Sequence, residues 1–191
     1  MYRKNYLIYV HEDDDGNVLS HSGRDLYYEE KLLKWEQAGR PEGKQPIKHR
    51  FVKGFHKGQL LYGRSNRLKT PERIESMRTH GLVIVEGMND VLRLSSMSLA
   101  ARGLCMNRAT DTQIALMVDD ARRYADSRIW LLPDKDKAGL AGFQDLLWKL
   151  QQYEGINARP GWPGPLAHVT EPEDLTDAEL ATVLAPFLLR S

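Results

Sequence analysis

Glu86, Asp134 and Asp136 are the residues whose types and spacing can do chemistry. Each follows a short apolar run: Leu82-Val83-Ile84-Val85 precedes Glu86, and Ile129-Trp130-Leu131-Leu132 precedes Pro133-Asp134-Lys135-Asp136. Such runs read as strands buried on both faces. Open α/β sheets place their ligands at the carboxyl ends of parallel strands. If the two strands are neighbours, Glu86 and the Asp-x-Asp pair converge on one acidic rim. Asp90 lies four residues past Glu86, and a helix starting near Met88 turns it back toward that rim. Asp134 and Asp136, two apart in extended chain, point to the same side. Four carboxylates in one pocket cannot all stay ionised unless a cation neutralises them. Hard oxygen donors favour Mg2+ or Mn2+, held jointly with substrate phosphates. Two such ions support phosphoryl transfer. A helix cap or a solvated charge accounts for any one of these acids alone. The conjunction of a strand-end glutamate with an Asp-x-Asp pair is what points to a metal centre.

The elements that must position these groups alternate from Gly81 onward. Met88 to Met97 has helical spacing, with Met88, Val91, Leu92 and Leu94 apolar. Ser98 to Cys105 is a strand candidate. Thr110-Asp111-Thr112-Gln113 is a capping box that opens a helix with Ile114, Met117, Val118 and Ala121 on one face. After the Arg128 to Leu132 strand, a helix from Ala138 to Tyr153 turns Phe143, Leu146, Leu147 and Leu150 inward and is capped by Gly155. Gly139 and Gly142 keep its start slim beside the acidic edge. Ile156 to Arg159 is a last strand, and Thr176-Asp177-Ala178-Glu179 opens a final helix carrying Leu180, Val183, Leu184 and Leu188. This alternation predicts an α/β fold: a parallel, right-handed crossover sheet with helices on both faces.

Ahead of it, Tyr6 to Val10 and Val18 to Ser22 form a hairpin through an Asp-Gly turn. The aspartates at 13 to 15 lack EF-hand spacing and read as a solvated turn. Tyr28 to Trp35 is a short helix with Leu32, Leu33 and Trp35 toward a core. Thr70 and Pro71 start another helix, with Ile74 and Met77 apolar and Gly81 at its end. The division expected is a small α+β segment over residues 1–80 and the α/β domain over 81–191.

Net charge is only +1, but it is segregated. Ten Lys or Arg lie between Arg40 and Arg73, opposed only by Glu42 and Glu72, whereas Glu171 to Glu179 is acidic. Such segregation fits a polyanion-facing surface beside a cation-binding one; a solvated basic loop is the alternative. Glycines 54, 58 and 63, interleaved with Phe51, Phe55 and Tyr62, suit a backbone that approaches phosphates while rings stack. The single cysteine, Cys105, excludes an intramolecular disulfide framework and a cysteine zinc cluster, and reads as a buried thiol. Trp130 and Trp148 are expected to pack the sheet. No apolar run approaches the roughly 20 residues of a membrane span, and no signal peptide is apparent, so a cytoplasmic protein without membrane contact is expected.

The pairing of VIVEGMNDV with PDKDKAG resembles the Toprim domain shared by bacterial-type primases, topoisomerases and some nucleases. The preceding segments, GNVLSHSGRD, Phe55-His56-Lys57-Gly58 and Leu61-Tyr62-Gly63, resemble the catalytic core of bacterial-type DNA primases. The resemblance implies a Rossmann-like Toprim sheet, with Glu86, Asp134 and Asp136 catalytic and Asp90 a further metal ligand. It implies a basic ridge in which Arg24, Lys48 and Lys57, joined by Arg64 and Arg67, grip template, nucleotide or nascent RNA. Glu171-Pro172-Glu173 is similar to an acidic Asp-Pro-Asp segment that adds metal ligands, with glutamates in place of aspartates. The implied activity is RNA primer synthesis on single-stranded DNA from nucleoside triphosphates with Mg2+ or Mn2+. A replicative helicase would be engaged through regions outside this chain, which reads as an excised piece or a stripped-down relative. Two alternatives remain: a Toprim-type metal-dependent nuclease, and a non-catalytic nucleic-acid-binding module.

Overall fold

The computed structural model describes residues 5–162 and 171–188, with side chains up to residue 183. The chain forms two compact units, Met1–Phe55 and His56–Ser191. The boundary expected at Gly81 therefore falls inside the second unit, where residues 56–80 are held by packing and hydrogen bonds. Met77 is fully buried in its core, and Tyr62 exchanges backbone hydrogen bonds with Gly103.

The first unit is an antiparallel sheet of β1 (Tyr6–Glu12), β2 (Val18–Asp25) and β3 (His49–Phe51), in that order. Its centre is polar and aromatic. His11 is fully buried, 2.8 Å from Ser22 Oγ, with the rings of Phe55 and Phe51 at 4.9 and 5.8 Å. Burial, aided by His21, lowers the His11 pKa to about 4. Phe51 and Phe55, expected to stack on nucleic acid, are thus structural here. Helix α1 (Tyr28–Gln37) buries no residue completely, and Leu33, expected inward, is exposed. Its helical charge pairs, such as Lys34 with Glu30, leave it a solvated amphipathic element.

The second unit is a parallel sheet of β4 (Leu82–Val85), β5 (Ala101–Gly103), β6 (Arg128–Leu132) and β7 (Asn157–Pro160), in the order β5-β4-β6-β7. All four residues of β4 are buried, each contributing roughly 1.5–3 kcal/mol of hydrophobic stabilisation. The pleat divides them. Leu82 and Ile84 face Met77 of α2 (Pro71–His80), Ile114, Met117 and Ala121 of α4 (Asp111–Tyr124), and Phe143 and Leu146 of α5 (Lys137–Leu150). Val83 and Val85 face Val91 and Leu94 of α3 (Met88–Ser96) and Leu180 and Val183 of α6 (Asp177–Leu188). Helices thus cover both faces, as expected of this sequence pattern. Because β4 pairs with β5 on one side and β6 on the other, the order of strands along the sheet reverses at β4. Open parallel sheets place their ligands at such a point, here the carboxyl ends of β4 and β6.

Local chemistry explains most boundaries. Thr70 Oγ1 accepts from Arg73 N at the start of α2, and Gly81, at φ +87°, closes it. Thr110 and Gln113 form the expected reciprocal cap. Asp136, not Lys137 or Ala138, caps α5, accepting from Gly139 N at 2.7 Å, and the helix ends at Leu150, short of the expected Tyr153 and Gly155. Two apolar residues expected inward face solvent. Leu92 is exposed, and Trp148 is 63 % exposed because it lies on the face of α5 opposite the buried stripe through Phe143, Leu146 and Leu150. The side chains of Leu184 and Leu188 lie outside the described residues. Cys105 is buried, and burial pushes its thiol up to about 12, so it stays protonated. Among the described residues, no helix is long and apolar enough to cross a membrane.

Gly142 is where α5 meets the loop after β5. A Cβ built there overlaps the Asn107 carbonyl oxygen and lies 3.0 Å from its carbon. Backbone cannot swing aside as a side chain can. G142A is expected to lose about 2–3 kcal/mol from overpacking, net of the small helix-propensity gain of alanine, read as a lower urea midpoint at unchanged m. An unchanged midpoint would mean that the helix and loop part freely.

Candidate metal centre

Val85 pairs with Leu132 at the ends of β4 and β6, so the chain leaves both strands side by side. Glu86 and Asp134 are its next polar residues. The Asp134 amide donates to Glu86 Oε1 at 3.2 Å, joining two positions 48 residues apart. Gly139, in the first turn of α5, closes the approach. A Cβ on it would overlap Glu86 Oε1 and sit 2.6 Å from the Asp134 carbonyl oxygen. Only a bare backbone fits between the two acids.

Asp90 lies in the first turn of α3 and is almost fully buried. Its Oδ2 accepts from Gly87 N at 2.9 Å, and its Oδ1 from Glu173 N at 3.0 Å. The second bond brings in the turn Pro172–Asp174, whose residues are remote from α3 in sequence. The six predicted carboxylates, Glu86, Asp90, Asp134, Asp136, Glu171 and Glu173, thus gather at one end of one sheet.

Their charges act on each other. Burial pushes the Glu86 carboxyl up to about 7; the Asp134 amide opposes this, while the negative charges of Asp136, Asp90 and Glu171 reinforce it. Burial, then Asp134, then Glu173 and Glu171, push Asp90 to about 7 as well, against the Gly87 amide. Two carboxyls that hold protons near neutrality mark a site with more negative charge than its surroundings solvate. The donor set is all hard carboxylate oxygen, which fits Mg2+ or Mn2+. Among the described residues, no three of these side chains close on one point as a finished cage. Asp136 is turned to its helix cap and Asp90 to two amides.

The predicted basic residues divide between the units. In the first, Arg24 lies opposite His49 in the β2–β3 ladder, and the Lys48 carbonyl accepts from Asp25 N, so Arg24 and Lys48 are neighbours. In the second, Lys57 sits in a short 3-10 turn (Lys57–Gln59) pinned to the start of α4 by Thr110 Oγ1 donating to the Gly58 carbonyl at 2.5 Å. Its charge pulls on the Cys105 thiol, and the Cys105 amide donates to the Glu86 carbonyl at 2.8 Å. Lys57 is therefore brought toward the acidic rim. Arg67 is exposed in a second 3-10 turn (Asn66–Leu68).

Arg64 is a correction. It is 5 % exposed, with Nη2 2.8 Å from Asp119 Oδ2 and Nε 3.2 Å from Asp120 Oδ1. It belongs to a buried charge network and not to a surface ridge. Sequence reasoning also missed Lys135, whose ammonium lies 4.3 Å over the Trp162 ring, while Trp162 Nε1 donates to the Pro133 carbonyl at 2.6 Å. A lysine between two rim aspartates was the available signal.

No protein-family model and no curated protein matches the chain. Solved structures do. A DnaG primase catalytic domain bound to single-stranded DNA superposes with a TM-score of 0.64 at 20 % identity, covering 96 % of this chain and 51 % of that one. The Aquifex aeolicus primase, comprising zinc-binding and RNA polymerase domains, gives 0.63 at 19 %, covering 95 % and 40 %. The RNA polymerase domain of Mycobacterium tuberculosis primase DnaG gives 0.61 at 17 %, covering 94 % and 54 %. The chain spans about half the length of these structures. Its fold, a four-stranded parallel sheet flanked by helices with a small antiparallel sheet ahead of it, is that of the Toprim-containing primase cores.

Proposed function

We propose that this chain is the metal-dependent part of a primase-type nucleotidyltransferase, making RNA primers on single-stranded DNA. The observation that carries the reading is the acidic rim. Glu86 and Asp134 are joined across two neighbouring strands, and four further carboxylates lie within electrostatic reach. Glu86, Asp134 and Asp136, with Glu171 and Glu173, would hold Mg2+ or Mn2+. When bound, such ions neutralise triphosphate charge and lower the pKa of an attacking hydroxyl.

The chain's own residues supply the rest. The Glu86 carboxylate would accept the proton of a primer 3′-hydroxyl. The 3′-oxygen forms a bond to the α-phosphorus, the α–β bridging bond breaks, and pyrophosphate leaves. Lys57 is placed to meet phosphate charge near the rim. Arg24, Lys48 and Arg67 would contact template or nascent RNA through its backbone, so binding should weaken steeply with salt.

The test pairs a primer-synthesis assay on single-stranded DNA with calorimetric titration of Mn2+ and nucleoside triphosphate. The D134N/D136N variant should keep the wild-type circular dichroism spectrum and lose at least ~100-fold in Mn2+ affinity, together with synthesis. Unchanged Mn2+ affinity in that variant refutes the site. Nucleotide binding without synthesis would favour a module that needs a further lobe for turnover. Loss of DNA without triphosphate would favour a nuclease.

A further inference from the structure

We infer that Arg93 and Asp90 form a two-point clamp that docks the Glu171–Asp174 turn over the acidic rim, making Arg93 a positioning residue for the cation site. The inference rests on the metal reading above. Asp90 and Arg93 are three apart on α3 and so share a face. Asp90 holds the turn by the Glu173 amide at 3.0 Å. Arg93 holds its far end: Nη2 and Nε donate to the Leu175 carbonyl at 2.8 and 3.3 Å, and Nη2 meets Asp177 Oδ1 at 2.5 Å. Leu175 is 2 % exposed and packs into the α3–α6 core, which fixes the clamp's lower jaw.

The physical need for a clamp is electrostatic. The turn follows Glu171 and carries Glu173 and Asp174, and its Glu173 amide is bonded to the Asp90 carboxylate, whose other oxygen holds the Gly87 amide next to Glu86. The turn therefore brings negative charge toward negative charge and would be expelled if left to itself. The guanidinium of Arg93 and two backbone hydrogen bonds offset that repulsion. Asp90 acts here through the two amides it accepts from, one on each of its oxygens. The turn keeps its glutamates in reach of the site while its backbone, not its carboxylates, makes the attachment.

The experiment compares wild type, R93Q, R93K and D177N in the full chain by amide hydrogen exchange and by Mn2+ calorimetry. R93Q should speed exchange of the Glu173 and Leu175 amides at least ~10-fold and lower Mn2+ affinity by about the same factor, with R93K restoring part of both. D177N, which leaves the core untouched, should move both readouts in the same direction by less. Adding E171Q and E173Q to R93Q should cost no further Mn2+ affinity, since the clamp and the glutamates act as one unit. Exchange that R93Q leaves unchanged, or affinity losses that add in full, overturns the clamp. Wild-type protein that binds no Mn2+ sinks the metal reading by itself, and the clamp then stands or falls on the exchange data.

Discussion

Replacing Asp120 by alanine is expected to cost this protein about 3–5 kcal/mol, enough to unfold much of it at ambient temperature. Asp120 lies on α4 and is wholly buried. Its Oδ2 meets Arg102 Nε at 2.9 Å and its Oδ1 meets Arg64 Nε at 3.2 Å, with Lys69 Nζ at 3.9 Å. Arg102 is 1 % exposed on the edge strand β5, and Arg64 is 5 % exposed. One carboxylate thus answers two buried guanidinium groups, and Asp119 shares only Arg64. Removing it leaves Arg102 charged among Met77 and the aliphatic core, where desolvation already lowers its pKa. Denaturant titration should show the loss. R102M should then be milder in the D120A background than alone, because it removes the stranded charge. A cost for D120A below about 1 kcal/mol would mean that water reaches the network, against its burial.

This network shows what the sequence could and could not disclose. The buried run Leu82 to Val85, the two helix caps at Thr70 and Thr110, and the strand-helix alternation are local patterns. Each is written within a few residues, and each appears in the structure. Arg64 was readable only as one more cation in a basic stretch. Its partners lie 55 and 56 positions away, and nothing near it marks burial. Gln113 repeats the lesson. Its role in the cap was legible, but its side-chain amide also donates to the Leu60 and Leu104 carbonyls, tying three segments together. Trp148 was readable as exposed, since the helical period puts it opposite Phe143, Leu146 and Leu150, and only its apolar type suggested burial.

The acidic rim sits between these cases. Glu86, Asp134 and Asp136 were legible because strand ends and an Asp-x-Asp spacing are local signals, and the strand pairing then joined them. The attachment of the Pro172–Asp174 turn to α3 depends on a backbone amide and a carbonyl, which no residue type advertises. Arg93 was therefore invisible as a contributor, although the acidic segment it holds was not. The buried charges divide in the same way. Those at the rim share one sign and call for an external cation, whereas those around Asp120 are of opposite sign and pair with one another.

That difference gives the rim an unusual signature in metal-free protein. The E86Q variant is expected to be more stable than wild type at pH 7.5 and yet deaf to Mn2+. The folded state holds the Glu86 proton up to about pH 7, whereas the unfolded chain releases it near the ordinary value of 4.5. Between those values the folded state binds more protons, so this residue's contribution falls as pH rises and is gone above pH 7. Asp90 adds in the same sense from 3.8 to about 7. His11, lowered to about 4, works in the opposite sense, its contribution being lost as pH falls from 6.5 toward 4. A single wild-type pH profile therefore blends opposing slopes. The difference between wild type and E86Q isolates Glu86, since His11 and most of the Asp90 effect cancel in it. That difference should be smallest at pH 4, grow through pH 5 and 6, and level off above pH 7. Each kcal/mol of it corresponds to about 2–4 °C in the melting midpoint for a chain of this size. Saturating Mn2+ should reverse the order, because a thousandfold excess over Kd stabilises only the wild type, by about 4.1 kcal/mol. A pH-independent difference would mean that the Glu86 pKa is not raised in the folded state, and equal stabilisation of both proteins by Mn2+ would place Glu86 outside any cation site.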